Sequence, residues 1–78
     1  MLDSEIVGRV FQRLREKKGL SQEVVSGLAA IGRTHLSAIE RGERRPTLDT
    51  VFKLAAALDE PAHEIVREIE AEIAKTEG

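Results

Sequence analysis

The segment GRTHLSAIERG, residues 32–42, has the apolar spacing of a short helix with an unusual outer face. Leu36 and Ile39 define the buried side, because a helix turns by about 100° per residue. The opposite side carries small, polar or cationic residues: Thr34, Ser37, Ala38 and Arg41, flanked by Arg33 and His35 at its start. Surface helices more often display Glu and Lys there. We interpret this smooth face as a binding surface, and a plain solvated face is the alternative.

Four further segments have helical periodicity, and none has the alternation of a strand. The predicted boundaries are about 4–17, 22–30, 33–41, 47–58 and 61–75. Capping residues suit these boundaries, with Ser21 and Thr47 at helix starts and Gly19 and Gly42 after helix ends. The loops between the helices are short. The sequence therefore predicts an all-α fold, a compact five-helix bundle.

The apolar residues of the second and fourth helices predict which sides face the core. For the second helix the expected inner residues are Val24, Val25, Leu28 and Ala29. For the fourth helix the apolar set is Leu48, Val51, Phe52, Leu54, Ala55 and Leu58. We expect these sets to meet the apolar face of the first helix.

Length and composition limit the classes of function. A chain of 78 residues predicts a single domain over residues 1–78. It has no cysteine, so a disulfide framework or zinc finger is excluded, and a cytoplasmic location is expected. No apolar run is long enough to span a membrane. The two histidines are not in a metal-ligand motif, and no phosphate loop or nucleophile motif is present. We expect no enzyme, no metal and no cofactor.

Charge is distributed unevenly along the chain, although the net charge is only −2. Residues 1–58 carry ten Lys or Arg and seven Asp or Glu, whereas residues 59–78 carry two and seven. Such an asymmetry is typical of a polyanion-binding part joined to another element. The alternative for the acidic end is a solvated helix face.

The second and third helices have the spacing of a helix-turn-helix, with a turn of about three residues between them. In such a pair the later helix, here the third, enters the DNA major groove. The earlier helix, here the second, lies across the DNA backbone. Arginine and threonine can bind base edges there. Gln22, at the start of the second helix, would face a phosphate, and an ordinary polar first-turn residue is the alternative.

Three motifs carry a family resemblance over about residues 6–70: RLREKKGLSQE, RTHLSAIERG and PTLDTVFKLAAAL. In this combination the chain resembles the Cro/C1-type, or Xre, helix-turn-helix family, with its lambda-repressor-like DNA-binding domain. It is most similar to small regulators such as restriction–modification controller proteins. The resemblance implies a sequence-specific transcriptional regulator that binds double-stranded DNA.

The resemblance also implies roles for individual residues. The residues implied to contact DNA are Gln22, Arg33, Thr34, His35, Ser37, Ala38, Arg41, Arg44 and Arg45. Arg15 and Glu40 match a buried ion pair that joins the first helix to the third, which gives Glu40 a structural role. The chain departs from the family at Ala30, where glycine is usual, and this alanine would be strained if the turn needs a positive φ.

The fifth helix carries an apolar stripe with isoleucines four residues apart. We predict that it is a dimerisation element, with a two-fold contact through Ile65, Val66, Ile69 and Ile73. Intramolecular core is the alternative, and Ile65 is expected to reach it. Glu64, Glu68 and Glu72 would form an acidic outer face away from DNA.

The sequence thus predicts a homodimer that reads a palindromic operator. Two alternatives stay open: an antitoxin-like DNA-binding protein with a toxin partner, and a protein–protein adaptor that uses the same fold. An adaptor would display an apolar patch on the third helix. A contact with RNA polymerase is left open.

Overall fold

The computed structural model describes residues 2–77, and these contain five α-helices and no strand. The helices are α1 (Ser4–Lys17), α2 (Gln22–Ala29), α3 (Arg33–Glu40), α4 (Leu48–Ala57) and α5 (Ala62–Glu77). The expected all-α five-helix fold is confirmed. No helix in this part of the chain is long and apolar enough to cross a membrane.

Three helices begin at a side chain that accepts a backbone hydrogen bond. Asp3 accepts from the N–H of Glu5 at 2.8 Å, so Asp3 caps α1. Ser21 and Thr47 accept from the N–H groups of residues 24 and 50 at the starts of α2 and α4, each at 3.1 Å. These caps satisfy N–H groups that have no partner within the helix.

Four helices end in the same type of turn. After α1, α2, α3 and α4, two successive N–H groups bond back to carbonyls of the last turn, as in a Schellman motif. The left-handed positions of these turns are Gly19, Ala30, Gly42 and Asp59. Ala30 has a φ of 57°, so this alanine adopts a conformation that glycine takes more easily.

The core lies between α1, the inner sides of α2, α3 and α4, and the first half of α5. Its largest fully buried side chains are Phe11, Leu36, Ile39, Leu54, Leu58, Ile65, Val10 and Val25. The predicted inner sets for the second and fourth helices are partly wrong. Val24 and Leu28 on α2 are 46% and 65% exposed, and Leu48 and Phe52 on α4 are 70% and 59% exposed.

These four side chains are exposed because the buried side of each helix is narrow. α2 is only eight residues long and buries Val25, Ser26 and Ala29. One turn of the helix separates Val25 from Ala29, and Val24 and Leu28 are rotated away from that line. On α4, the buried residues are Thr50, Leu54 and Ala55, followed by Leu58 at the helix end, and the exposed pair lies beside this line.

The isoleucines of α5 differ in how deeply they are buried. Ile65 is fully buried and Ile69 is 8% exposed, and both belong to the core, while Ile73 packs partly against it. Ile65 thus takes the core position that was the alternative for it, and the predicted dimer contact through this stripe stays a prediction. Only Val66, at 44% exposure, presents a large exposed apolar side chain on this helix.

The acidic face predicted on α5 does not point entirely outward. Arg13 of α1 donates to Glu72 at 2.8 Å and to Glu68 at 3.3 Å. Two of the three acidic side chains thus join α5 to α1 through ion pairs. Glu64 forms its own ion pair with Arg67 on the same helix.

Candidate nucleic-acid interface

The outer face of α3 combines small, polar and cationic groups. Arg33 and Thr34 are exposed and His35 and Ser37 are half-buried, while Leu36 and Ile39 face the core. Gly32 caps the helix without a side-chain hydrogen bond. The first N–H groups of α3 are therefore available to a ligand, and the helix dipole favours an anion there.

A shallow polar cleft of about 240 Å³ joins this face to the start of α2. Its lining residues are Gln22, Arg33, Thr34, Ser37 and Arg41. Five of the nine residues predicted to contact DNA are thus brought together, although they come from two helices. Such a cleft offers amide, hydroxyl and guanidinium donors but no carboxylate, so it suits a ligand rich in hydrogen-bond acceptors.

A buried ion pair fixes α3 against α1. Arg15 donates from Nε and Nη2 to the two carboxylate oxygens of Glu40 at 2.7 and 3.0 Å, and from Nη1 to the carbonyl of Leu20 at 2.8 Å. Hydrogen bonding to Glu40 raises the pKa of Arg15, so the guanidinium stays charged. The structure therefore contains the ion pair that the family resemblance implied.

The same carboxylate also holds Gln22. The side-chain Nε2 of Gln22 donates to Glu40 Oε1 at 2.9 Å. This contact leaves the amide oxygen and one N–H of Gln22 for a ligand. Glu40 thus positions a side chain at the edge of the cleft, in addition to joining two helices.

Arg41 ends α3 and is paired within its own turn. Its guanidinium donates to both carboxylate oxygens of Glu43, at 2.9 and 3.0 Å, and to the hydroxyl of Ser37. The role of Glu43 was not predicted from the sequence. The Arg-Gly-Glu spacing could have indicated it, since a glycine after a helix end turns the chain back on itself.

The two arginines of the following loop differ in their surroundings. Arg45 donates from Nε to Ser4 Oγ and from Nη2 to the carbonyl of Leu2, both at 2.9 Å. Its side chain therefore ties the loop to the start of α1. Arg44 is exposed and has no hydrogen bond or ion pair with another side chain within residues 2–77.

Ala38 is the one residue of the predicted DNA-contacting set that the structure removes from the surface. It is 7% exposed, so little of its side chain is available for the predicted contact with a base edge. The chain turns back beside it after Gly42, and the N–H of Glu43 bonds to the Ala38 carbonyl at 2.9 Å. A helical wheel considers the residues of one helix alone, so it could not show that the chain returns beside Ala38.

Gly8 is a second residue that the sequence analysis did not single out. A Cβ at this position would lie 2.5 Å from the carbonyl oxygen of Glu40. Because this backbone contact sets how closely α1 and α3 pack, Gly8 helps to place the cleft. The signal was a glycine inside an otherwise regular helix, which often marks close packing.

Comparison with known proteins places the chain in a family. A helix-turn-helix family profile matches residues 11–65, more than half of the chain. An uncharacterised HTH-type transcriptional regulator, y4dJ, from Sinorhizobium fredii is 46% identical over 54 residues, covering 69% of this chain and 70% of its own length. The control protein C.SmaI from Serratia marcescens is 36% identical over 55 residues, covering 70% of this chain and 66% of its own length.

Solved structures agree with this placement. The restriction-modification controller protein C.AhdI from Aeromonas hydrophila is 37% identical and superposes with a TM-score of 0.79. The match covers 83% of this chain and 98% of that protein's chain. The chain therefore belongs to the Cro/C1-type helix-turn-helix family of transcriptional regulators.

Proposed function

We propose that the protein regulates transcription by binding double-stranded DNA with α3 in the major groove. The observation that carries this proposal is the cleft formed by Gln22 and the outer face of α3, which is lined by hydrogen-bond donors and contains no carboxylate. A helix with such a face can approach base edges closely. In this role the protein acts without catalysis, in the cytoplasm.

The residues proposed to contact DNA divide into two groups by position. We assign base contacts to Arg33, Thr34, His35 and Ser37, because they lie on the outer face of α3. We assign phosphate contacts to Gln22, Arg41, Arg44 and Arg45, which lie at its edges. Phosphate contacts supply affinity that depends on salt, and base contacts supply specificity.

We further propose that the protein acts as a homodimer, with the contact on α4 rather than on the isoleucines of α5. Leu48 and Phe52 are one turn apart and are 70% and 59% exposed. They offer the exposed apolar side chains that a two-fold contact needs. Two copies of α3 about 34 Å apart would read a palindrome.

The adaptor alternative has less support from the arrangement of exposed groups. An adaptor using α3 would need an apolar patch on that helix. The large exposed apolar residues lie on other parts of the fold: Leu2, Val24, Leu28, Leu48, Phe52 and Val66.

The test of DNA binding is selection from random duplexes by the purified protein at near-physiological salt, followed by sequencing. Enrichment of an inverted repeat is expected, and its half-site spacing would report the dimer geometry. Binding without enrichment, weakening only as salt rises, would contradict sequence-specific recognition.

The test of the dimer contact is sedimentation of two matched variants. Phe52→Ser should shift the protein toward monomer, because it removes an apolar side chain from the proposed contact. Leu28→Ser removes an equally exposed apolar side chain from α2 and should leave the association unchanged. Equal behaviour of the two variants would place the contact elsewhere.

A further inference from the structure

On the surface proposed to face DNA, the guanidinium group of Arg41 is already paired with the carboxylate of Glu43. The Nε and Nη2 atoms of Arg41 donate to the two oxygens of Glu43 in a bidentate pair. Its Nη1 donates to the hydroxyl of Ser37. All three nitrogens of this guanidinium therefore have a partner within the protein.

The backbone holds Glu43 in this position. Gly42 has a φ of 79°, and the N–H groups of Gly42 and Glu43 bond back to the carbonyls of Ile39 and Ala38 at 3.0 and 2.9 Å. The carboxylate is thus attached to a defined helix end rather than to a free loop. Its return toward Arg41 follows from this turn.

The pairing distinguishes Arg41 from its neighbours. Arg33 and Arg44 are exposed and form no ion pair within residues 2–77, and Arg45 bonds only to neutral oxygens. Arg41 is the cation at this surface that carries its own counter-charge. Its positive charge is therefore largely cancelled before any DNA phosphate approaches.

We propose that Glu43 limits the affinity of the protein for the DNA backbone by competing with phosphate for the Arg41 guanidinium. This inference rests on the proposed function. When Arg41 turns to a phosphate, Glu43 loses its partner and lies near the negative backbone. Glu43 therefore acts through Arg41 as a positioning residue, and it is not itself expected to read a base.

The exposure of the pair makes this exchange feasible. The side chains of Arg41 and Glu43 are 53% and 59% exposed, so water and salt screen their attraction. Hydrogen bonding to Arg41 lowers the pKa of Glu43, which keeps the carboxylate charged at neutral pH. The pair is thus weak enough to open and still charged when DNA binds.

Counting ions gives the expected effect on salt dependence. An unpaired arginine that binds phosphate releases about 0.9 counterion from duplex DNA. In the native protein, the Glu43 carboxylate freed by that exchange lies beside the DNA and attracts cations, which offsets part of the release. Removing the charge of Glu43 should therefore steepen the slope of log affinity against log salt, by at most about 0.9.

The experiment compares Glu43→Gln with Glu64→Gln in fluorescence-anisotropy titrations of the full chain. Both substitutions remove one negative charge that is ion-paired with an arginine, but Glu64 is half-buried and lies on α5 with Arg67. The probes are a duplex selected by the wild type and an unrelated duplex of equal length, at four salt concentrations. Circular dichroism first checks that both variants keep the helical content of the wild type.

Glu43→Gln should bind both duplexes about two- to fivefold more tightly than the wild type, with the steeper salt slope. Glu64→Gln should change affinity and slope much less. Equal effects of the two substitutions would overturn the inference, because net charge alone would explain them. Weaker binding of Glu43→Gln to the selected duplex alone would also overturn it, since Glu43 would then contact a base.

The same substitution made in Arg41→Gln protein tests whether Glu43 acts through Arg41. In Arg41→Gln protein, adding Glu43→Gln should give only the small gain seen with Glu64→Gln. A gain as large as in the wild-type background would show that Glu43 acts on DNA independently of Arg41, against the inference. Absence of DNA binding by the wild type would instead contradict the proposed function itself.

Discussion

Gly8 of α1 lies against the backbone of Glu40 with no space for a side chain. A Cβ at position 8 would be 2.5 Å from the Glu40 carbonyl oxygen, 2.9 Å from its carbonyl carbon, and closer still to the carbonyl oxygen of Ile39. Arg15, two turns later on the same helix, bonds to the carboxylate of Glu40. The position of α3 thus depends on a close backbone contact and an ion pair with one helix.

Replacing Gly8 with alanine should destabilise the protein by about 3 kcal/mol, because backbone atoms cannot move aside as a flexible side chain can. Urea unfolding followed by circular dichroism at 222 nm would measure the loss. Gly27→Ala is the matched control, since no atom lies within 4 Å of the added Cβ in α2. The free energy of unfolding of the control should rise by about 0.5–1 kcal/mol, because alanine has a higher helix propensity than glycine. Equal stability of Gly8→Ala and the wild type would contradict the close contact.

Replacing Ala30 with glycine should stabilise the protein by about 0.5 kcal/mol. The left-handed conformation costs alanine about 1–2 kcal/mol, and the greater freedom of glycine in the unfolded chain offsets part of the gain. Ala71→Gly, at an exposed site inside α5, is the control and should lose about 1 kcal/mol. Thermal unfolding and urea unfolding would both measure these changes in stability. A loss for Ala30→Gly as large as for the control would mean that residue 30 is not left-handed in solution.

The periodicity of the sequence was sufficient to predict the five helices, since caps and turn residues mark their ends. It was insufficient to assign the faces of the shortest helices. Val24 and Val25 are equally apolar, and the positions of the helices packed against α2 decide that Val25 is buried. The same holds for Ile69, which could serve a dimer or the core until the place of α5 against α1 is known.

The candidate interface was predictable to a similar extent. The composition of α3 indicated its outer face, and the family resemblance indicated Gln22 and the Arg15–Glu40 pair. The pairings of Arg41 with Glu43 and of Arg45 with Leu2 and Ser4 depend on how loops return toward helices. Side-chain partners of this kind follow from tertiary structure, and no local pattern specifies them.

The ion pair between Arg13 and Glu72 should make stability depend on pH in the acid range. Hydrogen bonding to Arg13 lowers the pKa of Glu72 below its ordinary value of 4.5. The unfolded chain then binds more protons than the native protein between these two pKa values, so stability rises with pH there. The contribution is fully present above pH 4.5 and is lost as pH falls through the native pKa.

Urea unfolding of Glu72→Gln at a series of pH values would measure this contribution. The variant should be less stable than the wild type at neutral pH, and the difference should shrink as the medium becomes acidic. Glu70→Gln, an exposed neighbour with no ion pair within residues 2–77, is the control. A difference between Glu72→Gln and the wild type that is constant with pH would contradict the pairing.

Arg33 and Arg44 should affect DNA binding in different ways, although both are exposed arginines without an ion-pair partner in the described structure. Arg33 begins α3 and lines the cleft, so Arg33→Ala should cost about 1–3 kcal/mol on the selected duplex and relax preference at one base pair. Arg44 lies in the loop after α3, where a phosphate contact is expected. Arg44→Ala should weaken all duplexes similarly and reduce the salt slope by about 1.

Titration of both variants against the selected duplex and its single-base variants, at several salt concentrations, would separate these effects. Arg33→Ala serves as the control for Arg44→Ala, because each removes one positive charge from the same surface. A shared loss of charge would lower both salt slopes, whereas only a base contact would change the ranking of the single-base variants. If Arg33→Ala kept the wild-type ranking, α3 would not enter the groove by its N-terminal end, and the cleft beside Gln22 would face the backbone alone.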